Sequence, residues 1–217
     1  MGRFIFFRKK ERWTATLLGQ LLKLLILTLL VIIFLKTIHP FLSEVNPVET
    51  KTMVLEGFVP DYVVAKAVKM FLEEDYERII ITGKPRIKGS HLDFYENDGE
   101  YTAATLSRIG FDMDKVSVIP IKNTVTKDRT YESGKAIKMY LNNLPDVRSF
   151  NLVSIGCHAR RSRYLFEKSF DKNMSIGIIA IANKGYDANR WWQTSVGFRQ
   201  VIQETIAWTY ARFFFFP

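Results

Sequence analysis

From Leu24 to Leu35 the chain reads Leu-Leu-Ile-Leu-Thr-Leu-Leu-Val-Ile-Ile-Phe-Leu, and carried back through Lys23, Gln20 and Gly19 to Leu17 the run covers 19 residues. That is close to the ~20 apolar residues a helix needs to cross the hydrocarbon core of a bilayer. Lys23 is its one charge, and it lies toward the amino end, where a four-carbon stem can carry the ammonium to the headgroups. A buried core helix and a cleaved signal peptide are the competing readings. Arg3, Arg8, Lys9, Lys10 and Arg12 ahead of the run argue against the first. Lys36 to Leu42 are too bulky for a small-residue cleavage site, which argues against the second. The reading is an uncleaved anchor over residues 14–38, preceded by a basic segment 1–13. The basic flank predicts a cytoplasmic amino terminus, with Trp13 at the inner interface and everything beyond about residue 40 extracytoplasmic. This is the topology of a single-pass cell membrane protein whose first partner is the lipid bilayer.

Charge follows the same division. Residues 1–36 hold 7 Lys/Arg against 1 acid, and residues 37–217 hold 24 against 21. A nucleic-acid binder carries its basic excess on the folded domain, so the overall +9 does not predict a nucleic-acid partner. The rest of the chain, with 47% hydrophobic and 24% charged residues overall, suits one globular domain, and a single Cys cannot form an internal bridge. One Cys agrees with an extracytoplasmic domain without requiring it.

Residues 39–50 contain two prolines and neither a helical nor an alternating period, which reads as a short stalk. From residue 51 to 217 the pattern is regular. Apolar or β-branched runs fall at Thr52–Leu55, Arg78–Thr82, Val116–Pro120, Phe150–Ile155 and Ser175–Ala182, each followed by helical spacing. Val63, Val64, Ala67, Val68, Phe71 and Leu72 make one apolar stripe, and Ala136, Ile137, Tyr140, Leu141 and Leu144 another. A last helix over about 195–214 has its stripe at Phe198, Val201, Ile202, Thr205, Ile206 and Thr209. Strand and helix in alternation predict a doubly wound α/β domain with a mostly parallel sheet of about five strands. The terminal Phe-Phe-Phe-Phe-Pro is read as packing on the last helix or the sheet edge rather than on lipid.

Ligands of open parallel sheets bind beyond the carboxyl ends of the strands. Those ends carry Glu56 to Asp61, Thr82-Gly83-Lys84-Pro85, Asp128 to Ser133, and Gly156-Cys157-His158-Ala159-Arg160-Arg161-Ser162-Arg163. Arg160, Arg161 and Arg163 open a helix whose amino-terminal dipole disfavours cations, so an acid must lie nearby. It is either an anionic substrate held by an arginine fork, or an internal partner among Glu56, Asp61, Glu132 and Asp187. His158 is either a general acid or base or a hydrogen-bonded structural residue. His39 and His91 look incidental. Cys157 is disfavoured as a nucleophile activated by His158, since adjacent residues after a strand point apart. No Gly-x-Ser-x-Gly elbow and no Gly-x-Gly-x-x-Gly is present, so neither an elbow hydrolase nor a dinucleotide dehydrogenase is predicted. Scattered His and acids predict no metal centre, and no cofactor is named. Asp128, Thr130 and Asp61 have plainer roles as helix caps. Trp191 and Trp192 are either an aromatic wall or core.

Taken together, Glu56-Gly57-Phe58-Val59-Pro60-Asp61, Thr82-Gly83, Asp128 to Ser133, Val153 to Arg163, and Trp191-Trp192 with Glu204 resemble the membrane-anchored branch of the YdcF, SanA and ElyC type proteins. The resemblance runs from about residue 50 to 217. It implies a Rossmann-like domain and a role in peptidoglycan or surface-polysaccharide maintenance, with no settled reaction. Leu55-Glu56-Gly57 stands where those relatives have a glycine-rich first turn, which leaves no backbone cradle for phosphate there. Two functions follow as expectations. In one, Arg129, Arg160 and Arg161, with Thr130, Asp61, Thr82 and Gly83, bind an anionic envelope glycan or lipid intermediate, His158 transfers a proton, and Glu56 or Glu132 orients it or acts as base. In the other, the chain is a non-enzymatic accessory protein and the charged cluster is structural. A cytoplasmic nucleotide-binding domain would need the inverted topology.

Overall fold

A computed structural model describes residues 14–86, 94–122, 127–171 and 173–217. The basic segment 1–13, with Arg3, Arg8, Lys9, Lys10, Arg12 and Trp13, lies outside the described residues, as does His91. The chain divides into two compact units, Met1–Thr37 and Ile38–Pro217.

The first unit holds most of α1 (Leu17–Leu42), whose 26 residues rise about 39 Å at 1.5 Å each, more than the ~30 Å hydrocarbon core. Its apolar side chains from Leu17 to Phe34 are exposed all round, as a lipid-facing helix requires. It is the one described helix long and apolar enough to cross a membrane.

The second unit is built on an all-parallel sheet in the order β3-β2-β1-β4-β5, formed by β1 (Thr52–Glu56), β2 (Arg78–Gly83), β3 (Val116–Pro120), β4 (Ser149–Ile155) and β5 (Ser175–Ile181). The helices are α2 (Asp61–Glu73), α3 (Asp98–Arg108), α4 (Arg129–Leu141), α5 (Ala159–Ser169) and α6 (Ser195–Phe213). Period-two alternation splits the strands between two cores. Met53, Leu55, Ile79 and Ile81 meet Val63, Val64, Ala67 and Phe71 of α2 and Leu106 of α3. Val54, Ile80, Phe150 and Leu152 meet Ile137 and Leu141 of α4 and Phe166 of α5. All five β1 residues are buried, as suits a strand covered on both faces. The doubly wound α/β expectation therefore holds, with strand boundaries shifted by at most one residue.

One expectation needs correction. Residues 39–50 are not a free stalk. Helix α1 continues through Pro40 to Leu42, which is fully buried, and Asn46 then forms an antiparallel bridge to Ile178 of β5 while the Val48 N–H donates to Asn151 Oδ1 at 2.8 Å. The segment covers an edge strand that would otherwise present unpaired backbone. The apolar stripe on α6 is only partly buried. Val201 is buried, but Phe198 and Ile206 stand exposed because they face an open cavity.

Candidate functional site

In an open α/β sheet the crevice forms where strand order reverses, and here β1 is flanked by β2 on one side and β4 on the other. The chain leaves these two neighbours in opposite directions, which opens a cavity of about 990 Å³ beyond their carboxyl ends. Its polar end comes from strand termini. Glu56 ends β1 and sits in register with Thr82 of β2, and both point to the α4 and α5 side. His158 follows β4 in a short 3-10 turn that leads into α5, after Gly156 takes the left-handed φ of +46° that turns the chain. The apolar wall is α6, through Phe198, Ile202, Ile206 and Tyr210.

The His158 ring is set between two carboxylates. Its Nδ1 lies 2.9 Å from Glu204 Oε1, and its Nε2 lies 3.7 Å from Glu56 Oε1. Arg161 grips Glu204 in bidentate fashion, Nε to Oε2 at 2.7 Å and Nη2 to Oε1 at 3.0 Å. An Arg161 nitrogen also stands 2.9 Å from Nδ1. Both are donors when the ring is charged, so the proton on Nδ1 goes to Glu204 and the guanidinium merely abuts it. Burial opposes the imidazolium, but attraction to Glu56 and the hydrogen bond to Glu204 outweigh it and raise the His158 pKa to about 9. Burial likewise opposes the Glu204 carboxylate, and the bonds from His158 and Arg161 overcome it and hold Glu204 down at about 2. Phe58 closes edge-on over the ring at 5.1 Å. Ser162, one turn along α5, donates to Glu56 Oε1 at 2.9 Å.

Three buried atoms at this end have no hydrogen-bond partner among the described residues: Glu56 Oε2, Thr82 Oγ1 and His158 Nε2. Each such atom costs about 1–3 kcal/mol when left unmet, so three on residues that line one cavity mark a place suited to a polar ligand or ordered water. Comparison of the chain with family models, curated proteins and solved structures finds no match. The site therefore stands on its own geometry.

The other predicted residues divide clearly. Arg129, Thr130, Thr82, Gly83 and Arg161 line the cavity with Glu56 and His158. Arg160 does not: its Nε donates to the Phe41 carbonyl, its Nη1 is 3.4 Å from Glu44, and Arg163 Nη1 is 2.6 Å from the same carboxylate. The acid demanded by the helix dipole is thus Glu44 for Arg160 and Arg163, and Glu204 for Arg161, rather than Asp61, Glu132 or Asp187. Asp61 accepts from Thr105 at 3.2 Å, Glu132 pairs with Lys135 at 3.0 Å, and Asp187 accepts from the Asn189 N–H. Glu132 is therefore no partner of His158. Of the proposed caps, Asp61 is not one, since the N-cap of α2 is Pro60, and Asp128 holds the N-cap position of α4, in the left-handed region at φ 50°, without a side-chain cap bond. Trp191 is core, fully buried against Trp192 and Phe198. Cys157 turns to the Tyr186 hydroxyl at 3.6 Å, and burial pushes its thiol up to about 11, which rules against a thiolate nucleophile.

In the first loop the Gly57 N–H donates to the Thr82 carbonyl at 2.6 Å and the Val59 N–H to the Glu56 carbonyl at 3.3 Å, so neither is free for a phosphate. A Cβ on Gly83 would stand 2.2 Å from the Gly99 nitrogen, so glycine there serves close packing of α3 on β2. Sequence reasoning named Lys84 at a strand end without assigning it a role, missed Arg199 and the α6 wall, and gave Glu204 only through the resemblance. The one available signal was that Glu204 is the single acid in α6. Among the described residues no group of three metal-ligating side chains is present.

Proposed function

We propose that the chain binds a phosphate-bearing, anionic cell-envelope intermediate in this cavity and works on it by paired acid and base groups. The observation that carries the reading is the set of three unpartnered buried atoms, because their chemistry is complementary: His158 Nε2–H donates, Glu56 Oε2 accepts, and Thr82 Oγ1 does either. At the polar end the charges of Glu56, His158, Glu204 and Arg161 cancel. Attraction for an anion comes from the rim, where Arg129 and Arg199 have no carboxylate partner among the described residues and outweigh Asp128.

In a phosphoester cleavage, Glu56 Oε2 takes the proton of an attacking water as its oxygen bonds to phosphorus, and His158 Nε2 gives its proton to the departing ester oxygen. Glu56 later returns its proton to His158, which restores both groups. Glu204 and Arg161 act as positioning residues that fix the ring and keep Nε2 protonated. The extracytoplasmic setting and the envelope role rest on the basic flank of the anchor and on the resemblance. Assay of phosphate release from prenyl monophosphates by the full chain in detergent tests the chemistry. Glu56→Gln is expected to keep binding and lose turnover, and wild-type chain that binds without any turnover would refute the catalytic step.

A second reading has one observation behind it: Arg161, Glu204 and the Nδ1 side of His158 satisfy one another and tie α5 to α6. As an accessory protein the chain would use that cluster for rigidity alone, and neither Glu56→Gln nor His158→Gln would alter binding of any phosphate.

A further inference from the structure

Helix α6 and the Phe213–Phe216 run keep a large apolar surface outside the core. Ile206 is 65% exposed, Phe214 67% and Phe216 86%, with Tyr210 and Phe213 also more than half exposed. Soluble surfaces rarely leave so contiguous a patch uncovered. Phe215 alone of the four folds back, edge-on to Tyr131 at 5.2 Å. No acid follows Glu204 in the sequence, and Glu204 is turned inward to His158 and Arg161. Trp208, Tyr210 and Arg212 supply the residue types that populate the membrane–water interface.

What covers this surface is indicated by how the second unit begins. Its first residues directly follow the apolar run of α1 and are fixed at the carboxyl edge of the sheet. His39 Nε2 is 3.2 Å from the Tyr186 hydroxyl, and Glu44 is held by Arg160 and Arg163. The Phe41 ring meets Trp208 of α6 edge-on at 4.9 Å, with the Arg160 guanidinium 4.1 Å above it. The second unit therefore begins beside α6, a few residues along the chain from the end of the apolar run at Leu35.

We infer that the carboxyl-terminal half of α6 and the Phe213–Phe216 run lie in the interfacial layer of the bilayer. Ile206, Tyr210 and Phe215 line the cavity and also belong to α6 or to the run after it, so the cavity opens at the lipid surface. Resting on the reading of its polar end as an anion site, this makes the ligand a single-chain lipid phosphate, its head at His158 and its hydrocarbon along Phe198, Ile202 and Ile206.

The test uses the full chain in nanodiscs of phosphatidylcholine and phosphatidylglycerol. Bimane is attached at Phe216→Cys, at Phe213→Cys and, as control, at Asp75→Cys, whose fully solvated position follows α2 at the opposite edge of the sheet. Wild-type chain corrects for labelling of buried Cys157. Lipids carrying a doxyl group near the headgroup are expected to quench both phenylalanine positions several-fold more than position 75. Equal quenching at all three positions would overturn the inference, whether water or a second copy covers the face. Because no ligand is added, this outcome is separable from phosphate binding that is absent in wild type or unchanged in His158→Gln, which would retire the anion site and leave the lipid contact standing.

Discussion

Raising the pH from 6.5 to 9 should destabilise the folded domain through one residue. The pKa of His158 stands at 6.5 in the unfolded chain and at about 9 in the folded one. A raised value means that the stabilisation is complete below pH 6.5, declines as pH rises through 9, and is absent above it. Each tenfold change in proton affinity is worth about 1.4 kcal/mol, so His158 contributes about 3 kcal/mol at its maximum. The ring is only 14% exposed, so solvent screening takes little from this figure. Glu204, held at about 2, reports the same attraction from the other side: its part is present above the ordinary carboxylate range and is lost as pH falls toward 2. The two are one interaction and are counted once. For a domain of this size about 3 kcal/mol corresponds to about 6–12 °C in Tm. Tryptophan fluorescence melts of the full chain in detergent at pH 6, 7, 8 and 9 measure it directly. Wild type is expected to lose that much across the series, and His158→Gln to start lower and stay flat. A flat wild-type profile would refute the claim that two carboxylates hold the ring charged.

Three further outcomes follow from the same geometry. Glu204→Gln leaves Arg161 and His158 buried without their carboxylate and should cost about 3–5 kcal/mol in chemical denaturation. Arg160→Ala removes the contacts to Glu44 and the Phe41 carbonyl, so it should cost about 1 kcal/mol and leave phosphate affinity unchanged by titration calorimetry. Gly83→Ala forces the first turn of α3 away from β2 and should cost about 1–3 kcal/mol in the same denaturation assay.

The strands were legible because β1, β2 and β4 are covered on both faces and read as short runs rich in apolar or β-branched residues. The site edge was legible for the same reason, since strand ends fix where loops converge. The α6 stripe was legible as an apolar face, but a 3.6-residue period gives the same signal whether that face meets a sheet or a cavity. Helix-dipole reasoning required acids beside the three arginines, and they are there. Their identity was not readable, because Glu44 lies 119 residues from Arg163 and Glu204 lies 43 from Arg161. Pro40 suggested a break in α1, yet only two helical residues follow it, and burial of Leu42 offsets the bond its ring removes.

The central claim, a phosphate site at the carboxyl ends of β1 and β4, is tested most directly by calorimetric titration of the full chain with geranyl phosphate in detergent, comparing wild type with His158→Gln. The account predicts saturable binding to wild type, weakened at least about tenfold in the variant, since a hydrogen bond from a charged donor is worth about 1.5–3 kcal/mol. No binding to wild type, or equal affinity in the two chains, would contradict it.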